Sequence, residues 1–540
     1  MSNSEIPTLV TGDDAKLHTL GSWTTQQAAE HPNTIAIDDR GVNLSYAELE
    51  ERATALATRL IDHGYGVGDR IATVTGNSAD QIVLFFACAK AGLILAPMSW
   101  RLSPKELAAQ LGSAKPHLLV IEEEFQSLAH AALELLTLPP AWVSPGMMGI
   151  ETDLPDRTGH IAAVHREVRD SDPLLLIYTS GTESRSKGAL ITHNNCFWNN
   201  LSLSRTIPLR EDDVVLAILP QFHVGGWNIH PLLALWVGAT VVLERVFDAG
   251  RVLQLIQERN VTTMMAVPTQ YLMLTEHPDF ETTDLSSLRN VQVGGASMPE
   301  PLLRIWHAKG VKLSQGYGLT ENSPNVLSLH PDDAMNRVGW AGKPYSYVEV
   351  ALADPYTSEI LQGAGIGELL VRGPSVFAGY FDDEPSTQAI LRNGWLHTGD
   401  LLQRDDQGYY RVVDRLKELY ISGGENVSPN EVEAVLLQHP GIAEAAVIGV
   451  PDERWGEVGA AFIVRRRGVA LDDQEVLNHC RKQLASYKIP KYLIFSETLP
   501  KNPLGKVKRG LLRLVVQQQI EVPLGAREPS REGQAGNESD

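Results

Sequence analysis

Five short stretches carry residue types that could do chemistry together. "YTSGTESRSKG" (Tyr178–Gly188) follows the apolar run "LLLI" and combines small residues, hydroxyls, two glycines and Lys187. A strand, then such a turn, then a lysine is an arrangement in which backbone N–H groups wrap phosphate oxygens. It is not a Walker loop, because no Ser or Thr follows a Gly-Lys pair. "QGYGLTE" (Gln315–Glu321) follows "GVKLS", which reads as a strand, and sets an aromatic ring, two glycines, a hydroxyl and a carboxylate at a strand end. That is where open α/β sheets bind ligands. Tyr317 could stack on a purine, and Glu321 could hold Mg²⁺ through oxygen. "GWLHTGD" (Gly394–Asp400) ends in a carboxylate suited to accept hydrogen bonds from sugar hydroxyls. "DRLKELYISGGENVSP" (Asp414–Pro429) supplies Arg415 and a double glycine, and "LPKNPLGKVKR" (Leu499–Arg509) presents Lys506 on a Pro/Gly loop. Each stretch alone also reads as an ordinary turn with exposed charge.

The elements that must position these residues alternate along the chain. "LSYAELEERATALATRLIDHG" reads as a helix: Ser45 and Glu48 form a capping box, Leu49, Ala53, Leu56 and Leu60 share a face, and Gly64 ends it. "IVLFFACAKAGLILAPM" (Ile82–Met98) is short of a membrane span and predicts a buried helix followed by a strand. Short β-rich runs ("LLVIE", "VVLAILP", "TVVLE", "TTMMAVP", "NVQVGG") alternate with helical stretches to about residue 330, which predicts α/β architecture with mostly parallel strands. Beyond that, strands with glycine turns dominate. A second change near Lys417 opens a small unit, whose first helix has Ser428, Pro429 and Glu431 as a capping box and Val432, Val435 and Leu436 facing a core. The expected domains are 1–416 and 417–520, with 521–540 as a disordered tail.

Composition narrows the function classes. The 540 residues carry a net charge of −20 with a pI near 5.3, which argues against nucleic acid as a partner. Cys88, Cys196 and Cys480 lie far apart without a CxxC pair, so neither a disulfide framework nor a zinc site is expected. The N-terminus lacks a signal-peptide pattern, and the chain reads as cytoplasmic without a membrane span.

In this order and spacing, the five stretches resemble the adenylate-forming superfamily of acyl-CoA synthetases, luciferases and peptide-synthetase adenylation domains, over about residues 20 to 515. The resemblance implies a large N-terminal α/β domain of several subdomains and a small, mobile C-terminal α+β domain. It implies ATP, Mg²⁺ and CoA, and a carboxylic acid activated as its acyl-AMP before transfer to a thiol. Thr179, Ser180, Gly181, Thr182 and Lys187 would line the phosphate loop, while Gly295, Ala296 and Gln315, Gly316 and Tyr317 would surround adenine. Thr320 would meet the α-phosphate, Glu321 the magnesium ion, and Asp400 and Arg415 the ribose. Lys417 matches the hinge, Lys506 the lysine needed for adenylation, and Gly423 and Gly424 the pantetheine tunnel. Glu183 departs from the family pattern, which has a second Thr or Ser there; it could point outward, pair with Arg185 or help hold the metal.

"PQFHVGGW" (Pro220–Trp227) matches the segment bordering the acyl pocket, giving His223, Gly225, Gly226 and Trp227 as its expected lining. Amino-acid-activating members usually place an aspartate here, so an amino acid is disfavoured. His223 resembles the gate of fatty- and aryl-CoA ligases, and the glycines point to a bulky acyl group. CoA is the expected acceptor. A separate acyl carrier protein, a homodimeric assembly and a non-catalytic nucleotide sensor stay open.

Overall fold

The computed structural model describes residues 16–144, 154–155, 157, 166–179, 186–355, 357–416, 418–422, 425–452, 454–501 and 505–519. The chain divides into two compact units between Val412 and Val413, a few residues before the boundary expected at 416/417. Ser180, Gly181, Thr182, Glu183, Lys417, Gly423, Gly424 and the tail 521–540 fall outside the described residues.

The larger unit is built on parallel sheets, as the alternation predicts. In one, Ile35–Asp39, Thr240–Leu243, Val214–Ala217, Thr263–Ala266, Asn290–Val293 and Leu313–Gly318 lie side by side, each pair parallel. In another, Arg70–Val74 lies between the parallel strands Ile94–Pro97 and Leu118–Ile121. Strand Pro173–Thr179 continues that sheet and turns back antiparallel into Lys187–Thr192. An antiparallel layer has Glu349–Ala353, Gly365–Arg372 and Trp395–Arg404 as neighbours. Parallel strands are buried on both faces and read as apolar runs, which is why "LLLI" and "VVLA" are so uniform.

Local signals set the helices. Helix Tyr46–Asp62 has its capping box formed in both directions, with Leu49, Ala53, Leu56 and Leu60 buried. Helix Ala79–Ala91 is buried nearly all round, packs on helix Tyr46–Asp62 and leads into strand Ile94–Pro97. Among the described residues no helix is long and apolar enough to cross a membrane.

The smaller unit is an α+β body. Its sheet pairs Tyr420–Ser422, Glu425–Val427, Gly456–Arg465 and Ile442–Asp452 antiparallel, with Tyr492–Ser496 added in parallel. Helix Pro429–Leu436 starts at Ser428, whose side chain accepts from the Glu431 N–H, and Val432, Val435 and Leu436 are buried. The expected box is only half made. The Glu431 carboxylate accepts instead from Lys488 Nζ at 2.7 and 2.8 Å, a cation that outcompetes a neutral N–H for a carboxylate.

Candidate active site

The C-terminal ends of the parallel strands gather most of the expected site residues in the larger unit. Strand Leu313–Gly318 runs through the "QGYG" segment itself, so Tyr317 sits on the strand rather than on a loop after it. Gly318 allows the strand to pass its antiparallel neighbour, since a Cβ there would lie 2.1 Å from the Pro324 carbonyl oxygen. Tyr317 donates its hydroxyl to Asp400 Oδ2 at 2.7 Å. Asp400 is mostly buried, on strand Trp395–Arg404.

The turn that aims Asp400 is fixed from below by a carboxylate that the sequence reading missed. Glu368 Oε1 accepts from the Gly399 N–H at 3.0 Å and Oε2 lies 2.9 Å from His397 Nδ1. The Thr398 hydroxyl accepts from the Asp400 N–H at 3.1 Å. Glu368 lies 31 positions before Gly399 in the chain, so no local pattern betrays it.

Glu321 follows in a short turn, Thr320–Asn322. Its Oε1 accepts from the Tyr380 hydroxyl at 2.7 Å and its carbonyl accepts from the Phe377 N–H at 2.9 Å. Tyr380 pairs with Ala189 on the strand that leaves the phosphate loop, and Lys187 Nζ lies 5.4 Å from its ring centroid. Thr179 and Lys187 are the last register pair at the mouth of that hairpin, with the Thr179 hydroxyl donating to the Lys187 carbonyl at 3.4 Å. Lys187, Tyr380 and Glu321 therefore form one row. Tyr380 is the second residue that sequence reasoning missed; its only signal is an aromatic next to a glycine in "FAGYF".

Gln315 is used structurally. Its Oε1 accepts from the Met298 N–H at 2.9 Å and its Nε2 donates to the Ala296 carbonyl at 3.1 Å, pinning the turn in which Gly295 takes φ +77°. Gly316 has room: the nearest atoms to a Cβ there are carbonyl oxygens at 3.8 and 3.9 Å.

The expected acyl-pocket residues divide. His223 Nε2 is buried with no hydrogen-bond partner among the described residues. Burial, helped by the nearby Arg101 charge, brings its pKa down to about 4, so the ring is neutral at pH 7. Gly225 borders a narrow cavity with Leu219, Ile229, His230 and Met265. Gly226 touches the same cavity but answers first to backbone crowding, because a Cβ there would meet the Pro220 carbonyl oxygen at 2.3 Å. Trp227 is a core residue: 1% exposed, stacked on Phe85 at 4.8 Å, its indole N–H donating to the Gln221 carbonyl at 2.6 Å. A large ring two positions past a glycine goes where the apolar volume is.

Arg415 and Lys506 belong to the smaller unit. Lys506 is exposed on a loop closed by an antiparallel bridge between Lys501 and Val507. Helix Arg509–Gln519 follows it, and Arg509 is held by Glu418 at 2.9 Å and Glu433 at 2.6 Å. These pairs anchor the base of the loop.

Comparison with known proteins agrees with this geometry. The AMP-binding enzyme family matches residues 24–381 and the AMP-binding enzyme C-terminal domain matches residues 431–506. A feruloyl-CoA synthase of Amycolatopsis sp is 38% identical over 495 residues, covering 92% of this chain and 98% of that protein. An indoleacetate–CoA ligase of Aromatoleum aromaticum is 37% identical over 506 residues, again covering 92% and 98%. The o-succinylbenzoate CoA synthetase of Bacillus subtilis, solved with ATP and magnesium ion, superposes with a TM-score of 0.80 at 31% identity, covering 91% of this chain and 99% of that one. Matches of this extent and identity settle the family: the chain belongs to the adenylate-forming superfamily of AMP-binding enzymes and is an AMP-forming acid–thiol ligase, a class that works with ATP, magnesium and CoA.

Proposed function

We propose that the chain is an aryl-acid–CoA ligase, which joins a bulky aromatic carboxylic acid other than an amino acid to AMP and then to CoA. The observation that carries this reading is the character of the segment Pro220–Trp227, in which a buried, uncharged His223 stands and Gly225 has the apolar neighbours Leu219, Ile229 and Met265. The segment Pro220–Trp227 holds no carboxylate to pair with an ammonium group. The aromatic acids named for the two relatives support the same class.

In the first step a carboxylate oxygen attacks the α-phosphorus, an O–P bond forms, and pyrophosphate leaves with the electrons of the broken bond. Two anions must approach, so cations aimed at the developing charge supply most of the catalysis. Tyr317 stacks on adenine, and the ribose hydroxyls are the partners of Asp400 and Arg415. Lys187, with Thr179, Ser180, Gly181 and Thr182, receives the β- and γ-phosphates, and Thr320 the α-phosphate. Lys506 balances charge in the transition state. Magnesium usually keeps several waters and takes only one or two protein carboxylates. Glu321 supplies such an oxygen, and among the described residues no three-residue His, Cys, Asp or Glu cluster offers a full protein cage. When bound, the ion neutralises phosphate charge. In the second step the CoA sulfur attacks the acyl carbon and AMP departs, with Lys417 as hinge and Gly423 and Gly424 flanking the pantetheine arm. Three buried, unpaired cysteines suit a cytoplasmic enzyme.

The test is carboxylate-dependent exchange of labelled pyrophosphate into ATP over a panel of aromatic, aliphatic and amino acids. Exchange confined to aromatic acids is expected, and exchange with none of them overturns the reading. CoA consumption on the same panel, set against loading of a purified acyl carrier protein, identifies the acceptor.

A further inference from the structure

Glu321 is joined to the stretch that carries Tyr380 by more than the phenol. Its carbonyl takes the Phe377 N–H at 2.9 Å and its Oε1 takes the Tyr380 hydroxyl at 2.7 Å. The residue after it adds a further link. Asn322 is fully buried; its Oδ1 accepts from the Ser375 hydroxyl at 3.1 Å, and its Nδ2 donates to the Asn325 carbonyl at 2.6 Å. Ser375 is itself only 2% exposed.

A buried amide is costly unless its polar ends are filled, and here both are. The turn does not need that amide for its own closure. Its backbone is already closed by the Asn322 N–H on the Leu319 carbonyl at 2.9 Å and by the Leu319 N–H on the Pro324 carbonyl at 3.0 Å. An apolar side chain would fill the same space without desolvating an amide. What the amide adds is a tie across 53 positions of sequence, from the turn of Glu321 to the stretch that leads into Tyr380.

That stretch is pinned a second time. Asn195, the third residue of helix His193–Thr206, donates its Nδ2 to the Pro374 carbonyl at 2.9 Å and to the Val376 carbonyl at 2.8 Å. Its Oδ1 accepts from the Thr192 N–H at 2.9 Å, while the Thr192 hydroxyl oxygen accepts from the Asn195 N–H at 3.1 Å. This capping box fixes the amide on its helix. Ser375 therefore stands between two carbonyls held by one asparagine and gives its hydroxyl to another. Buried networks with their polar groups filled in this way rigidify what they join.

We infer that Asn322 and Ser375 are positioning residues for the Glu321 carboxylate, holding it where it meets the magnesium ion that accompanies ATP. This rests on the reading of Glu321 as a magnesium ligand given above. Glu321 is fixed at its backbone by Phe377 and at its carboxylate by Tyr380, both on the stretch that Ser375 belongs to. Without the Asn322–Ser375 tie, the turn and the phenol are free to shift against each other. Partners that orient a metal-binding side chain are typically worth about 10- to 100-fold in metal affinity.

The test is calorimetric titration of the enzyme with ATP, no acid being present, once in excess magnesium and once in EDTA. The ratio of the two Kd values is the gain in affinity due to the metal. Ser375→Ala removes one oxygen, and Asn322→Leu exchanges the amide for an apolar side chain of similar size. Each should lower that gain by about tenfold, or to one where the gain is smaller, and leave the Kd in EDTA within a few-fold. A merely structural role would weaken binding alike with and without metal. Glu321→Gln is the reference and should lower the gain at least as far. If it does while Ser375→Ala leaves the gain unchanged, or weakens both titrations equally, the inference alone is overturned. If Glu321→Gln leaves the gain unchanged, or the unaltered enzyme shows none, the magnesium reading of Glu321 falls and the inference with it. Should Asn322→Leu fail to fold, Ser375→Ala decides.

Discussion

Asp400 and Glu321, in the larger unit, each accept a hydrogen bond from a tyrosine hydroxyl at 2.7 Å. Glu418 and Glu433, in the smaller unit, instead clasp the Arg509 guanidinium at 2.9 and 2.6 Å. Between Glu321 and the Glu418–Glu433 pair, the chemical difference is the charge of the partner, a phenol against a guanidinium. A phenol steadies a carboxylate without cancelling its charge, so the Tyr380 bond leaves the Glu321 carboxylate its charge. A guanidinium uses the charge up, and that is structural work. The net worth of a hydrogen bond to a charged group is about 1.5–3 kcal/mol, whereas stripping one partner from a buried ion pair costs about 3–5 kcal/mol.

Acid should hit the larger unit hardest. His193, His223 and His230 are buried there, and burial lowers each pKa from an ordinary 6.5 to about 4. Over that window the unfolded chain binds more protons than the folded one, so stability is complete above about pH 6.5 and is lost as pH falls toward 4. The summed loss is on the order of several kcal/mol. Urea midpoints that stay constant from pH 7 to 4.5 would contradict it. Arg509→Leu is next, at about 3–5 kcal/mol. It should melt the smaller unit at a lower temperature in calorimetry and leave the unfolding of the larger one in place; a single unshifted transition would break the contrast between the units.

Lys506→Ala should lower pyrophosphate exchange by about 10²-fold or more and leave thioester formation from synthetic acyl-AMP within a few-fold. Equal loss in both half-reactions would refute that division of labour. The smallest effect belongs to Tyr317→Phe, which keeps the ring and drops the hydroxyl. The KM for ATP should rise about fivefold, matching a loss of about 1 kcal/mol, and a rise as large as that of Asp400→Ala would show that the phenol does more than steady its partner.

What could be read from the chain followed the range of the forces involved. The Ser45–Glu48 box and the buried helix Ala79–Ala91 depend on residues within a turn or two of each other, and both appear as expected. Glu431 shows the limit of local reading, because Lys488, 57 positions away, claims its carboxylate. Trp227 reads as pocket lining by its place in "HVGGW", yet its partner Phe85 comes from a distant helix. Glu368 carries no local signature at all, and Tyr380 only an aromatic next to a glycine. They matter through partners 31 and 59 positions away, Gly399 and Glu321, which only the folded sheets bring near.

Tyr380 has a double attachment. Its hydroxyl reaches Glu321, while its backbone is laddered to the strand that begins at Lys187. Any displacement of the Lys187 end of that strand would therefore be passed, two residues along at Ala189, to the phenol bonded to Glu321.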